Sequence, residues 1–584
     1  MGKRGFYIGA GTLIGLGSFL IIFGLVFQLV IFPAILKHTV KKSMVIGTED
    51  NGDLNTFADK WINSKFTVKM QYYIWNYTNA IEMVDRGMKP DAYQVGPYSY
   101  RQENKYTYTD TAWKNNSNLF EYIETAYYYF EPESSCKGCD PDKDYVRVPD
   151  ILFFTVMDIL IPTIDPFLEL CSTTDECSGL LKLLSVPFFG FKADPIVTVK
   201  VSDLLFNTYK SPIITMAEQL MKFLSSIIPI QLPNLDGLAV SLNSNNATTN
   251  HTFWYTINTG KSDYNDVGKV VAMRYPDGNT SMSNIPYEWW NGTDYDICPE
   301  KDRATQLRGT NGDFFHPFIE KTDILSAYIE DISRSIDFKF YKESSVSDID
   351  TYQFIIDPDA FNYSVPENCG YCQTSYHDLF DYNSTENSQC LPNGILDLYG
   401  YESSSGSPAH IVVSLPHFYN SDDIILKWFP RMKPDPEEHQ TTLDIEPTIG
   451  SVLRANKRLQ INIAGGSYLN TVFRQVPNGA FPIAWVNNSY LADDKTIDDI
   501  KSDLYTPKKI VKLVCYIGGV GLGTLLLAIG IGALILRNVH EKSKNPSAPI
   551  SRGDNRNSPP EESFKSNNEL NQGSLTRRKP QNWE

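Results

Sequence analysis

The chain has 584 residues, of which 42% are hydrophobic and 13% aromatic, and its formal net charge is −17. That length and apolar content are enough for a sizeable core, while the acidic balance argues against a nucleic-acid-binding protein. Lys3 and Arg4 precede the first apolar run and residues 537–584 carry nine Lys/Arg and six Asp/Glu, which leaves about −22 for residues 37–512; a glycoprotein in a hydrolytic lumen and a plain solvated surface fit this equally well.

From Gly5 to Leu36 no residue is charged. The run is much longer than the apolar core of a signal peptide, so it reads as an uncleaved signal anchor, with residues 1–5 before it and the span at 6–36. A second uncharged run, Leu513–Leu536, is closed by Arg537. At ~1.5 Å per residue its 24 residues reach ~36 Å, enough to cross a ~30 Å hydrocarbon core. Between the runs, Ile151–Leu170 is interrupted by Asp158, Pro162, Asp165 and Pro166 and reads as buried or amphipathic. Both spans carry close-packing glycine spacings, Gly11-xxx-Gly15 and Gly519-xxx-Gly523, which would let the helices approach each other.

Residues 37–512 form the segment between the spans. Its glycosylation sequons are Asn76, Asn115, Asn246, Asn250, Asn279, Asn291, Asn362, Asn383 and Asn487, and residues 537–584 have none. Nine on one side and none on the other place 37–512 outside the cytosol and both termini within it. The segment opens with period-two alternation at Phe66, Val68, Met70, Tyr72 and Ile74, the mark of a strand. Ile213, Met216, Ala217, Leu220, Met221 and Leu224 fall on one helical face, making residues 150–235 the helical insertion. Ile411–Leu415, and Leu459 with Ile461 and Ile463, again read as strands.

Eight cysteines lie between the spans, and the ninth, Cys515, lies in the second span. An even count in an oxidising compartment points to disulfides. Cys136-Lys-Gly-Cys139 and Cys369-Gly-Tyr-Cys372 have zinc or redox spacing, but structural bridges are the better reading in this compartment. The sequence carries no HExxH, GxSxG, phosphate loop or dinucleotide fingerprint, so catalysis, a metal and a cofactor have no support. Residues 537–584, rich in Ser, Asn, Pro and charge, are expected to be disordered. They lack tyrosine and an acidic di-leucine, so no sorting signal is legible there.

A series of motifs resembles the class B scavenger receptor and lysosomal integral membrane protein 2 family. Trp75-Asn76-Tyr77-Thr78-Asn79, Lys89-Pro90 and Gly96-Pro97-Tyr98-Ser99-Tyr100-Arg101 come first. Gly309-Thr310-Asn311-Gly312-Asp313 follows, then Arg334-Ser335-Ile336, Gly394-Ile395-Leu396-Asp397 and Ser414-Leu415-Pro416-His417-Phe418-Tyr419. Leu443-Asp444-Ile445-Glu446-Pro447-Thr448-Ile449-Gly450, Lys457-Arg458-Leu459-Gln460-Ile461-Asn462 and Phe481-Pro482-Ile483-Ala484-Trp485 complete the order.

The resemblance implies an α+β fold: a large antiparallel β-barrel-like ectodomain with an internal hydrophobic tunnel and a helical apex bundle near 150–235, flanked by two transmembrane helices. It implies bridges Cys298–Cys369 and Cys372–Cys390, with Ser333 where many members begin a third. Cys136 and Cys139 are then left to bridge with Cys171 and Cys177, in a pairing the sequence leaves open. Family members hold ligands at the apex, for which Lys182, Lys192 and Lys200 are the candidates here. No histidine lies between His38 and His251, so release through an apical histidine is in doubt. The leading reading is an endolysosomal receptor, not an enzyme, for lipid (phospholipid, sterol or fatty acid) or protein, passing lipid through the tunnel. The alternatives are a sorting receptor for a soluble lysosomal hydrolase and a plasma-membrane scavenger or phagocytic receptor for particles; a second copy of the chain is a further candidate partner.

Overall fold

The computed structural model describes residues 3–63, 67–157, 195–227, 240–243, 251–274, 290, 298, 303–372, 379–381, 390–398, 410–465 and 477–544. They belong to two compact units: the terminal helices (up to Phe27 and from Leu513), and Gln28–Lys512.

The two membrane-length helices run over Arg4–Ser43 and Asp494–Lys544. Only 6% and 11% of their most apolar stretches is buried within the protein, so lipid rather than a protein core must cover them. Within their unit the helices meet through small residues. Gly17 lies against the Gly523 carbonyl and Leu527, Gly24 against Gly519, and Gly530 against Ala10 and Ile14. Gly519 and Gly523 are thus at the contact, as their spacing suggests, but Gly11 and Gly15 face open space. The first helix uses the face carrying Ala10, Gly17 and Gly24, seven residues apart, and the pair at 11 and 15 is rotated off it.

The Gln28–Lys512 unit is built on long antiparallel strands. In chain order these are β1 (Thr67–Tyr77), β2 (Ala92–Thr107), β3 (Trp113–Lys114), β4 (Leu119–Phe130), β5 (Tyr145–Pro149), β6 (Ile196–Lys200), β7 (His251–Asn258) and β8 (Val270–Arg274). The second half supplies β9 (Leu325–Ile329), β10 (Arg334–Val346), β11 (Ile349–Ile356), β12 (Ile395–Asp397), β13 (Ile411–Ser414), β14 (Thr442–Glu446), β15 (Ser451–Gly465) and β16 (Gly479–Leu491). The main sheet runs β8-β7-β4-β2-β1-β16-β15-β14-β11-β10-β9, so the first and last strands of the chain pair at its centre. β13 joins β15 and carries β12, β3 joins β4, and β5 pairs with β6 in a separate sheet.

Alternation decides which way each strand faces. On β1, Met70, Tyr72 and Ile74 are buried, while Tyr73 points away and stacks on Trp485, centroids 4.0 Å apart. The two free edges, β8 and β9, would be open to pairing with other chains. Residues Gly309–Thr310 lie between them. The Val270 N–H donates to the Gly309 carbonyl (2.9 Å), the Thr310 N–H to Ser326 (3.1 Å) and the Tyr328 N–H to Thr310 (2.8 Å). The sheet is thereby almost closed into a barrel. Gly309 has φ +83°, and a Cβ there would overlap the Ser326 carbonyl, so the seam requires glycine.

Arg334 anchors the neighbouring loop. It donates to the Ala360 carbonyl (2.5 Å) and Asn368 Oδ1 (2.7 Å) and lies over the Tyr371 ring at 3.8 Å. In the 150–235 interval, residues 151–157 and Pro212–Ile227 are helical, with Ile213, Met216 and Ala217 buried. The interval is not all helix, because β6 falls inside it and buries Ile196 and Val199. Residues 158–194 and 228–239 lie outside the described residues.

Candidate ligand cavity

A cavity of about 230 Å³ lies inside the barrel, lined by residues from β1, β2, β4, β7, β9, β10, β11, β14, β15 and β16. A single water needs only ~10–15 Å³ on such a measure. Its walls are largely apolar: Val68 and Met70, Ile336 and Phe338, Leu443, and Leu459 all face it. Inward alternation brings polar groups to the same space. On β4 the inward series is Phe120, Tyr122, Glu124, Ala126 and Tyr128, and on β15 it is Ala455, Lys457 and Leu459.

The charged lining is Glu124, Asp313, Glu330, Asp331 and Lys457, brought together from sequence positions more than 300 residues apart. Asp313 Oδ2 accepts from Trp61 Nε1 (3.1 Å), Tyr106 Oη (3.0 Å) and Asn311 Nδ2 (2.8 Å). Lys457 Nζ donates to Asp331 Oδ2 at 2.7 Å. Glu124 Oε1 accepts from Asn104 Nδ2 at 2.7 Å. The Glu330 carboxylate has no hydrogen bond or ion pair among the described residues, although its backbone carbonyl accepts from Ser333. Glu124, Glu330 and Lys457 each retain accessible surface, but protein encloses them and that surface faces the cavity.

Burial penalises the charged forms. It pushes the Glu330 carboxyl up to about 7, with Asp331 adding repulsion. It also drives the Glu124 carboxyl well above the carboxylate range, reinforced by Asp313 and Glu330. Lys457 is equally enclosed, but Asp331 and Glu330 outweigh the burial and hold its ammonium above the ordinary lysine value.

Asp313 and Lys457 fall inside two of the quoted motifs, but Glu124, Glu330 and Asp331 belong to none of them. The signal available was a Glu and a Lys on the inward phase of two otherwise apolar or aromatic alternations. Among the described residues no group of three His, Cys, Asp or Glu side chains is placed to hold a metal.

The residues singled out from the sequence lie elsewhere. Lys200 ends β6, 4.0 Å from Asp203, and does not line the cavity. Lys182 and Lys192 lie outside the described residues. Cys298 is bonded to Cys369 and Cys372 to Cys390. Cys136 is bonded to Cys139 instead of to Cys171 or Cys177, which lie outside the described residues. The physical reason is a turn in which the Cys139 N–H donates to the Cys136 carbonyl (3.0 Å) and the two Cα atoms come within 5.3 Å.

Of the sequon asparagines, Asn115 sits exposed at positive φ in the turn between β3 and β4. Asn362 is half-buried and donates to Asp359 (3.2 Å). Asn76 and Asn487 are half-buried on strands, donating to Tyr93 Oη (2.7 Å) and Gln71 Oε1 (3.3 Å). Asn246, Asn250, Asn279, Asn291 and Asn383 lie outside the described residues.

A family model described as the CD36 family matches residues 15–533. An uncharacterized protein of Caenorhabditis elegans is 34% identical over 565 residues, covering 92% of this chain and 98% of its own. Human lysosome membrane protein 2 is 26% identical, covering 94% and 100%. Sensory neuron membrane protein 1 of Ostrinia furnacalis is 26% identical, covering 86% of each.

Proposed function

The chain belongs to the CD36 family, whose members are membrane receptors rather than enzymes, and from that premise we propose that it is an endolysosomal lipid receptor. Lipid would enter the barrel cavity, and phospholipid, sterol or protein ligands would dock at the apex formed by residues 150–235. The observation that carries the reading is the apolar-walled cavity inside the barrel. The relatives called lysosome membrane protein 2 support the compartment. The sequon distribution supports 37–512 on the lumenal side, with 1–5 and 537–584 cytoplasmic.

The test is lipid extraction from the purified full chain, with mass spectrometry. About one lipid per chain is expected, and a chain that is empty and takes up none from mixed vesicles would defeat the reading. Apical recognition is tested separately with Lys182→Ala/Lys192→Ala/Lys200→Ala and vesicles of anionic phospholipid, where unchanged binding removes those lysines. Protease treatment of sealed vesicles should spare 37–512 and digest the tail. A plasma-membrane receptor is the second reading, favoured by the match to sensory neuron membrane proteins and by a tail without a legible sorting signal. Immunolocalisation of the untagged chain separates the two.

A further inference from the structure

The charge balance of the cavity says which head group suits it. Among the described residues four carboxyl groups and one ammonium line it. That ammonium, Lys457, is already held by Asp331 at 2.7 Å, so among the described residues no other cation lines the cavity to receive an anionic head. Asp313 already accepts three donors on its Oδ2. Two enclosed carboxyls remain: Glu124, with one oxygen on Asn104, and Glu330, with no partner among the described residues. An enclosed polar group without a partner is costly, and a ligand supplying donors or positive charge removes that cost.

We propose that this cavity selects single-chain amphiphiles with a protonated amine head, with Glu330 and Glu124 as the counter-charges and the apolar wall taking the hydrocarbon, and that it disfavours fatty-acid carboxylates. The inference rests on the lipid-receptor reading and deepens it by naming the ligand class. An ammonium brought to Glu330 and Glu124 relieves their mutual repulsion and donates to oxygens that have room to accept. A carboxylate in the same place brings like charge to a lining that is already acidic.

The experiment uses three probes sharing an eighteen-carbon tail: radiolabelled oleylamine, oleyl alcohol and oleate. Each is titrated at pH 8 against the delipidated full chain in detergent. Oleylamine should bind about tenfold more tightly than oleate, with oleyl alcohol between them, the scale of one ~1.4 kcal/mol charge interaction. Glu330→Gln and Glu124→Gln keep shape while removing charge. Each should weaken oleylamine about fivefold or more and leave oleyl alcohol within about twofold, which a merely destabilised barrel would not do. Equal binding of all three probes, or Gln variants with unaltered amine affinity, overturns head-group selection and leaves the lipid reading standing. Binding of none of the three overturns both.

Discussion

Gln460 on β15 offers the sharpest test of how the barrel is held together. Its Oε1 accepts from Trp75 Nε1 (3.2 Å) on β1 and from the His417 N–H (3.0 Å). Its Nε2 donates to Asn462 Oδ1 (3.0 Å) and Ser414 Oγ (3.3 Å). Gln460, Asn462, Ser414 and Trp75 are all buried. Gln460→Leu keeps the volume but strands the indole N–H, the His417 N–H and Asn462 Oδ1. Each stranded buried group costs ~1–3 kcal/mol. Because neighbouring losses do not add fully, about 4 kcal/mol is expected for the three. A domain of roughly 480 residues has an unfolding entropy near 1 kcal/mol per K, so this corresponds to about 4 °C in Tm. The assay is thermal unfolding of the detergent-solubilised chain at pH 7, with Ser414→Ala as a milder comparison expected at about 1 °C. A Gln460→Leu shift under about 1 °C would show that the network contributes no net stability.

Three further outcomes follow from particular contacts. Gly309→Ala puts a Cβ into the Ser326 carbonyl at φ +83°, so it should cost more than ~3 kcal/mol, read as loss of mature glycoprotein on a blot; normal yield would mean the seam is pliable. His417 and His439 stack at 4.0 Å, and their Nδ1 atoms accept from the Lys433 and Asp435 N–H groups. Burial holds His417 at about 3, aided by His439, and His439 at about 4, aided by Arg458. These pKa values lie below the unfolded ~6.5, so the pair's stability is complete above that pH and is lost as pH falls towards 4 and 3. By pH 5 the loss is at most ~2 kcal/mol per ring, roughly halved by solvent screening at the exposed side of His417. His417→Gln/His439→Gln should therefore flatten the fall in Tm between pH 7 and 5, and an unchanged slope would refute the assignment. Gly523→Leu cannot fit against Gly17 and Ile21 and should weaken disulfide cross-linking between engineered cysteines in the two spans; Gly11→Leu, facing open space, should leave it intact.

How much of this was legible in the sequence depended on whether a signal was local. The spans and the inward phase of β1 rest on one stretch of chain each, and the residues alone specify them. Gly11-xxx-Gly15 misled because spacing fixes which residues share a helix face but not which face meets the partner. The bonding of Cys136 to Cys139 turns on one backbone turn, which counting cysteines does not reveal. The cavity charges are the hardest case. Glu124, Glu330 and Lys457 converge only because β4 and β15 sit on opposite sides of the β2-β1-β16 centre and the barrel curls them towards the β9 end. Along the chain Glu124 and Glu330 are each one acid among many, and the motif that contains Lys457 does not tell what it faces. Their environment is made by the closure at Gly309–Thr310, so the glycine that the sequence marks as a motif and the carboxylates that it leaves unmarked belong to one structural event. A substitution that opened the seam would admit water to Glu330, lower its carboxyl towards the ordinary range and remove the head-group preference even with every lining residue in place.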